Sequence, residues 1–143
     1  MSKKQDVLPT ILLFEQDEQT RPLLSTNLHN WGYRVIMALN EEDAIASSTG
    51  LYPMTKTGYK RNQPDLILLN QVEQTIDEYI NMGRRIREIA GLSKHTPIVV
   101  IAERYEKDME GKNVSVGERE YVTYLEDGEQ LMKFLHHLCP VEI

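Results

Sequence analysis

The sequence predicts an α/β domain built on a doubly wound parallel sheet. Three observations carry that prediction. Short apolar runs recur at Thr10–Phe14, Asp65–Leu69 and Thr96–Ile101, each too short for a helix and apolar on both faces. Amphipathic stretches with helical spacing lie between the runs, and the alternation of strand and helix persists along the chain. Right-handed crossovers then restrict the topology to doubly wound forms.

The elements follow in order. Thr10–Phe14 is the first strand and ends in Glu15-Gln16-Asp17-Glu18. From Thr20 to Trp31, Leu23, Leu24, Leu28 and Trp31 recur at helical spacing, Pro22 is tolerated in a first turn, and Gly32 caps the end. Tyr33–Leu39 is rich in strand formers, and Asn40 caps a short helix over Glu41–Ser48. Residues 49–63 contain Gly50, Pro53 and Gly58 with no sustained period, and are expected to form a loop. Strand three is Asp65–Leu69, preceded by Pro64 and followed by Asn70. Thr75 and Glu78 have capping-box spacing and open a helix to Ala90, with Gly91 as its stop and Tyr79, Met82, Ile86 and Ile89 as its inward stripe. Thr96–Ile101 ends at Ala102. Glu103–Gly117 is only weakly helical, because Gly111, Asn113, Val114 and Val116 interrupt it. Glu120–Thr123 is the last strand, and Asp127 caps a final helix bearing Leu131, Phe134, Leu135 and Leu138.

One domain over residues 9–139 is expected, with tails at 1–8 and 140–143, because 143 residues suffice for a single core. Hydrophobic residues at 41% and charged residues at 27% fit a folded globular chain, and no stretch nears the roughly 18 apolar residues of a membrane span. No leader pattern follows Met1, and the lone Cys139 has no disulfide mate, so a cytoplasmic location is expected. The net charge of −6 argues against a nucleic-acid partner. The basic groups Arg84, Arg85, Arg87 and Lys56, Lys60, Arg61 read as solvated surface. His29, His95, His136 and His137 lack metal-ligand spacing, no Gly-rich phosphate loop follows strand one, and no nucleophile elbow occurs.

Carboxyl ends of strands are where open α/β sheets place ligands, so Glu15, Gln16, Asn70, Ala102 and Tyr124 converge on the functional edge. There the sequence resembles the receiver domain of two-component response regulators. The carriers of the resemblance are Ile11-Leu12-Leu13-Phe14 into Glu15-Gln16-Asp17, Pro64–Leu69 into Asn70, Gly83–Arg87, Thr96–Ile101, and Glu120–Thr123. The resemblance spans roughly residues 9–138. The intervals from Asn70 to Ala102 to Tyr124 match receivers, while that from Gln16 to Asn70 is about ten residues long, an excess absorbed by an insertion at 49–63. The resemblance implies a CheY-like, flavodoxin-like (βα)5 three-layer sandwich with a five-stranded parallel sheet in the order 2-1-3-4-5.

In that family, two acids after strand one hold magnesium, an aspartate after strand three accepts phosphate, a hydroxyl after strand four senses it and a lysine after strand five pairs with it. At those positions this chain carries Glu15 and Gln16, Asn70, Ala102 and Tyr124, with Asp17 one residue beyond the acidic pair and Leu125 replacing a common proline. A neutral amide cannot replace the carboxylate nucleophile, and one acid with neutral neighbours is a poor magnesium site. No catalytic residue, metal or cofactor is therefore expected. Tyr121 occupies the family's switching-aromatic position, and the reading preferred here is a half-buried tyrosine packed on the last helix. Tyr124 either fills the vacated lysine space and bonds Glu15 or Asn70, or lies outward as an aromatic contact; the sequence leaves both open.

The expectation is a pseudo-receiver, acting by protein contact in a two-component or related pathway without being phosphorylated. The resemblance implies contact through the family's fourth helix, fifth strand and fifth helix, with a histidine kinase or another signalling protein as partner. The alternatives are phosphoryl acceptance at Asp17 or another carboxylate, and a homodimeric scaffold whose edge includes 49–63. No DNA-binding helix pair follows Leu138, so no output domain is expected within the chain.

Overall fold

The computed structural model describes residues 8–49 and 63–141. The expected insertion at 49–63, with Lys56, Lys60 and Arg61, lies almost wholly outside the described residues, as do most of the expected N-terminal tail and the end of the C-terminal one. The chain runs β1 (Thr10–Phe14), α1 (Thr20–Asn30), β2 (Arg34–Ala38), α2 (Glu41–Ser48), β3 (Leu66–Asn70), α3 (Ile76–Ile89) and β4 (Ile98–Ala102). A 3-10 turn (Lys107–Met109), β5 (Asn113–Gly117), β6 (Glu120–Tyr124) and α4 (Gly128–Leu138) complete it.

The sheet order is β2-β1-β3-β4-β6-β5. All pairings among β2, β1, β3, β4 and β6 are parallel, which gives the expected doubly wound arrangement with β6 as the fifth parallel strand. β1, β3 and β4 are buried along their whole length, as strands covered on both faces must be. α2 and α3 cover one face, where Ala44, Tyr79, Ile80 and Ile86 meet Leu12, Phe14, Leu69 and Val100. α1 and α4 cover the other, where Leu28, Leu131 and Leu135 meet Ile11, Leu13 and Val99.

The caps act as the sequence indicates. Asn40 and Asp127 accept from Asp43 N–H and Gln130 N–H, and Thr75 with Glu78 forms a complete capping box. Two inward stripes need correction. Ile89 is 61% exposed and Leu23 is 64% exposed. On α3 the inward arc is completed by Ala90, one position beyond Ile89, and on α1 the buried side follows Leu24, Leu28 and Trp31.

The main departure lies between β4 and β6. The segment expected as the fourth helix, only weakly helical in sequence, forms no α-helix, and the sheet has six strands instead of five. Gly111, at φ +85°, turns the chain, and a tight reversal at Glu118–Arg119, with Arg119 at φ +60°, folds β5 antiparallel onto β6. Val114 and Val116 favour extended backbone, and pairing with β6 satisfies groups that a short, Gly-interrupted helix would satisfy poorly. A bulge between Ser115 and Gly117 adjusts the register. Gly117 suits that place because a Cβ there would fall 2.1 Å from Glu120 Oε1.

Glu120 opens β6 with its side chain buried. Arg84 donates to both its oxygens, at 2.6 and 3.0 Å, and Arg87 adds a third bond at 2.9 Å while also donating to the Thr96 carbonyl. Arg85 pairs bidentately with Glu41. These arginines, expected to solvate a surface, tie α3 to β6 and to α2. The Arg84 guanidinium holds the Glu120 carboxyl below its ordinary range, with Arg87 reinforcing it.

Candidate functional site

The candidate site is built at the carboxyl edge by the neighbouring ends of β1, β3 and β4. Parallel register sets Phe14 beside Leu69 and Asn70 beside Ile101, so Glu15 emerges beside Asn70 and Gln71 beside Ala102. Glu15 is fully buried and Asn70 nearly so. Asn70 Nδ2 donates to Glu15 Oε1 at 2.6 Å, and the Asp17 N–H donates to Glu15 Oε2 at 2.9 Å. Burial raises the Glu15 carboxyl above its ordinary range, and those two donors only partly offset it.

Gln16 and Asp17 turn away from that pair. Gln16 is exposed, and its side-chain oxygen accepts from the Tyr79 hydroxyl at 3.2 Å. Asp17 accepts from the Thr20 hydroxyl at 2.7 Å and from the Gln19 N–H at 3.1 Å, which secures the entry to α1 and holds its carboxyl below the ordinary range. Arg21 reaches back to the carbonyls of Glu15 and Gln16, at 3.0 and 3.4 Å. Beside these groups is an open cleft of about 250 Å³ bounded by Asp17, Asn70, Gln71, Glu103 and Arg104.

Gln71 and Arg104 are the members the sequence reading missed. The Glu103 N–H donates to Gln71 Oε1 at 3.1 Å, and Arg104 donates to the Val72 carbonyl at 2.7 Å, so the loops after β3 and β4 are laced together. Gln71 directly follows Asn70 and Arg104 lies two residues beyond Ala102, both strand-end positions already singled out, which was the available signal.

Ala102 and Tyr124 are paired neighbours on β4 and β6, but they do not join the Glu15–Asn70 pair. Tyr124 packs its ring edge-on against Tyr105, with centroids 5.5 Å apart, among the residues flanking the α2–α3 side of the core. Tyr105 in turn donates its hydroxyl to the Leu125 carbonyl. Of the two placements open for Tyr124, the structure has the aromatic contact, though half-buried against the core and not outward. Tyr121 lies on the opposite face, half-buried and edge-on to Phe134 of α4 at 5.5 Å.

No family model matches the sequence, and no curated protein matches it. Solved structures do match. Vibrio cholerae chemotaxis protein CheY4 aligns over 92% of this chain and 99% of its own, with 20% identity and a TM-score of 0.63. The receiver domain of a Pseudomonas aeruginosa sensor histidine kinase, solved with magnesium in its active-site cleft, aligns over 92% and 98%, at 19% identity and TM-score 0.61. The chain has the receiver-domain fold. Thermotoga maritima response regulator TrrA, in complex with magnesium and BeF, gives 20% identity, TM-score 0.57 and coverage of 92% and 99%.

The receiver fold implies a magnesium ion, and the residues at this edge do not suit one. Magnesium demands hard oxygens in near-octahedral array. Here both oxygens of Glu15 accept from N–H donors, Gln16 is turned to Tyr79, and Asn70 directs its NH2 group at the only buried carboxylate of the site. Among the described residues, no three or more histidine, cysteine or acidic side chains gather in a metal-binding cluster. No helix among them is long and apolar enough to cross a membrane.

Away from this edge, Cys139 is buried and its thiol is pushed up to about 11 by burial, which suppresses the thiolate. His136 contacts the Trp31 carbonyl at 3.0 Å and its ring lies against Tyr33, so it ties α4 to the end of α1.

Proposed function

We propose that the chain is a receiver-like signalling module that accepts no phosphoryl group and works through protein contact. The observation that carries this reading is the Asn70–Glu15 hydrogen bond at 2.6 Å. At the strand-end position where a receiver needs a free, metal-supported carboxylate, this chain has an amide donor whose partner acid is buried. Phosphoryl transfer needs a nucleophile and positive charge aimed at the developing oxyanions. Tyr124, packed on Tyr105, brings no cation to the cleft.

The receiver fold supports, as the partner proposed, a histidine kinase or another signalling protein. The face implied by the resemblance needs revision, because the segment expected as the fourth helix is a 3-10 turn followed by an edge strand. The contact surface proposed in its place comprises β6, the exposed edge of β5 and the adjoining side of α4. Half-exposed Tyr121 and Phe134 supply aromatic area there.

The test is incubation of the purified chain with a small-molecule phosphodonor and magnesium, followed by intact-mass measurement. The expected spectrum shows the unmodified mass alone. A stable adduct, at Asp17 or any other carboxylate, overturns the reading.

A further inference from the structure

We propose that the cleft at the amino end of the sheet is a binding site for a small organic oxyanion, a carboxylate or phosphate ester anchored by Arg119. The site lies at the opposite end of the strands from Glu15 and Asn70. It does not depend on whether that other edge accepts a phosphoryl group.

Parallel register builds the cleft. Arg34 opens β2 beside Thr10, Asp65 stands just before β3, and Pro97 stands just before β4. The Ile98 N–H donates to the Arg119 carbonyl at 2.9 Å, which sets Arg119 at the entry to β6. The two arginines therefore stand on the outer members of the five parallel strands, about 19 Å apart at a strand spacing of about 4.8 Å. The cleft has a volume of about 630 Å³, within the roughly 300–1,000 Å³ of small-molecule sites. Its lining includes apolar Pro97 and Leu138, and His95 from the loop between α3 and β4.

Arg119 is fixed in place with its donors to spare. Its Nε donates to the His95 carbonyl at 3.0 Å, and among the described residues Nη1 and Nη2 have no hydrogen-bond partner. Those two nitrogens form the fork that matches a pair of oxygens on a carboxylate or phosphate. Arg84, Arg85 and Arg87 each pair with a carboxylate, whereas Arg119 and Arg34 form no ion pair among the described residues. Arg119 also sits at φ +60°, which strains any residue with a Cβ. A glycine would hold that turn without strain, so what the arginine adds is its side chain.

The helix ends at this rim find other partners for their carbonyls. Beyond α4 the Tyr33 hydroxyl donates to the Cys139 carbonyl at 2.7 Å, beyond α1 His136 contacts the Trp31 carbonyl, and beyond α3 Gln63 donates to the Ala90 carbonyl. The two arginines are thus not spent as helix caps. Against them stands one carboxylate, Asp65, whose Oδ2 is engaged by the Thr10 N–H at 2.8 Å. The cleft is therefore cationic in a chain of net charge −6. A cationic hollow with low-dielectric walls concentrates anions, and Arg34 adds to that attraction from across the cleft. With its oxygens on the Arg119 fork, the ligand lays its organic body on Pro97 and Leu138. One fork in an open cleft gives modest affinity, a Kd on the order of 0.1–1 mM.

The experiment is a nuclear magnetic resonance titration of the full, nitrogen-labelled chain with phenyl phosphate and, separately, with benzoate. Saturable shifts are expected at His95 and Arg119 and none at Glu15 or Asn70, and the tighter probe identifies the preferred oxyanion. Arg119→Lys keeps the charge and loses the fork, and should weaken binding about tenfold. Arg119→Gly accepts φ +60° without strain and should weaken it at least as much, with the resonances of β1, β3 and β4 unmoved. Arg34→Gln should weaken it less, because its charge acts at a distance. Absence of saturation with both probes overturns the proposal, as does an affinity that both Arg119 variants leave unchanged, or shifts centred on Glu15 and Asn70. Binding of hexaglutamate where neither small probe binds marks the cleft as a seat for an acidic protein segment, and overturns it equally.

Discussion

Asn70 and Glu15 form one buried hydrogen-bonded unit, donor amide to acceptor carboxylate, bridging the ends of β3 and β1. The amide does for Glu15 what solvent or a cation would otherwise do. It supplies a short, charge-assisted bond to an oxygen that burial has deprived of water. Asn70 is therefore a structural partner, and its chemistry is set by the acid beside it.

Replacing Asn70 by Asp places two carboxylates in contact. One must take up a proton or repel the other, and either outcome raises a carboxyl pKa in the folded state. Folding then binds protons, and stability falls as pH rises. Asn70→Asp is expected to cost about 2–4 kcal/mol at neutral pH and less near pH 5, read by denaturant melts at both. Magnesium-dependent phosphorylation is not expected to appear, because Ala102 and Tyr124 still bring neither hydroxyl nor cation to the pocket; intact mass checks this.

Glu15→Gln tests the same unit from the other side. Burial is the leading cause of the raised Glu15 carboxyl, so its ionisation weakens the fold as pH climbs above the ordinary carboxylate value. A glutamine cannot ionise, and its amide can exchange hydrogen bonds with a reoriented Asn70. The stability difference between the variant and the natural chain should move in the variant's favour from acid to neutral pH. Denaturant midpoints across that range check the sign.

Glu120 titrates in the opposite sense. Arg84 leads in holding its carboxyl low, so its contribution is fully present above the ordinary carboxylate value and is lost as acid drives pH down through the depressed one. Glu120→Gln is expected to cost about 2 kcal/mol at neutral pH, a figure kept modest because Arg84 is half exposed. The deficit should shrink in acid, as thermal melts at the two pH values would show.

Gly83 lets α3 approach β4 closely. A Cβ there would sit 2.6 Å from Cγ2 of Ile98, a branched side chain with little freedom to retreat. Gly83→Ala should therefore destabilise by about 1–3 kcal/mol despite its better helix propensity, measured by equilibrium unfolding.

What could be read in the sequence follows a physical division. β1, β3 and β4 announce themselves because strands covered on both faces need unbroken apolar runs, and α2, α3 and α4 because their caps are local chemistry. Asn113–Gly117 stayed hidden because an edge strand makes no such demand. Its five residues are mostly exposed, and its partner β6 is found only after a reversal at Glu118–Arg119 whose one left-handed residue is an arginine. Val114 and Val116 alternating ahead of Gly117 were the faint signal. At the site, the positions of Glu15, Asn70, Ala102 and Tyr124 were legible because strand ends fix them. The Asn70–Glu15 bond and the turning of Gln16 to Tyr79 depend on side-chain rotamers. Arg84 and Arg87 read as surface because their partner, Glu120, is far along the chain and buried only in the fold.

The hairpin of β5 and β6 sets a loosely held edge beside a stiff sheet centre. β1, β3 and β4 are clamped between helices, so their amides open to solvent only when much of the molecule unfolds. β5 hangs from a single ladder and can peel away while the rest stands. A change of shape at that margin leaves the buried Glu15–Asn70 unit undisturbed.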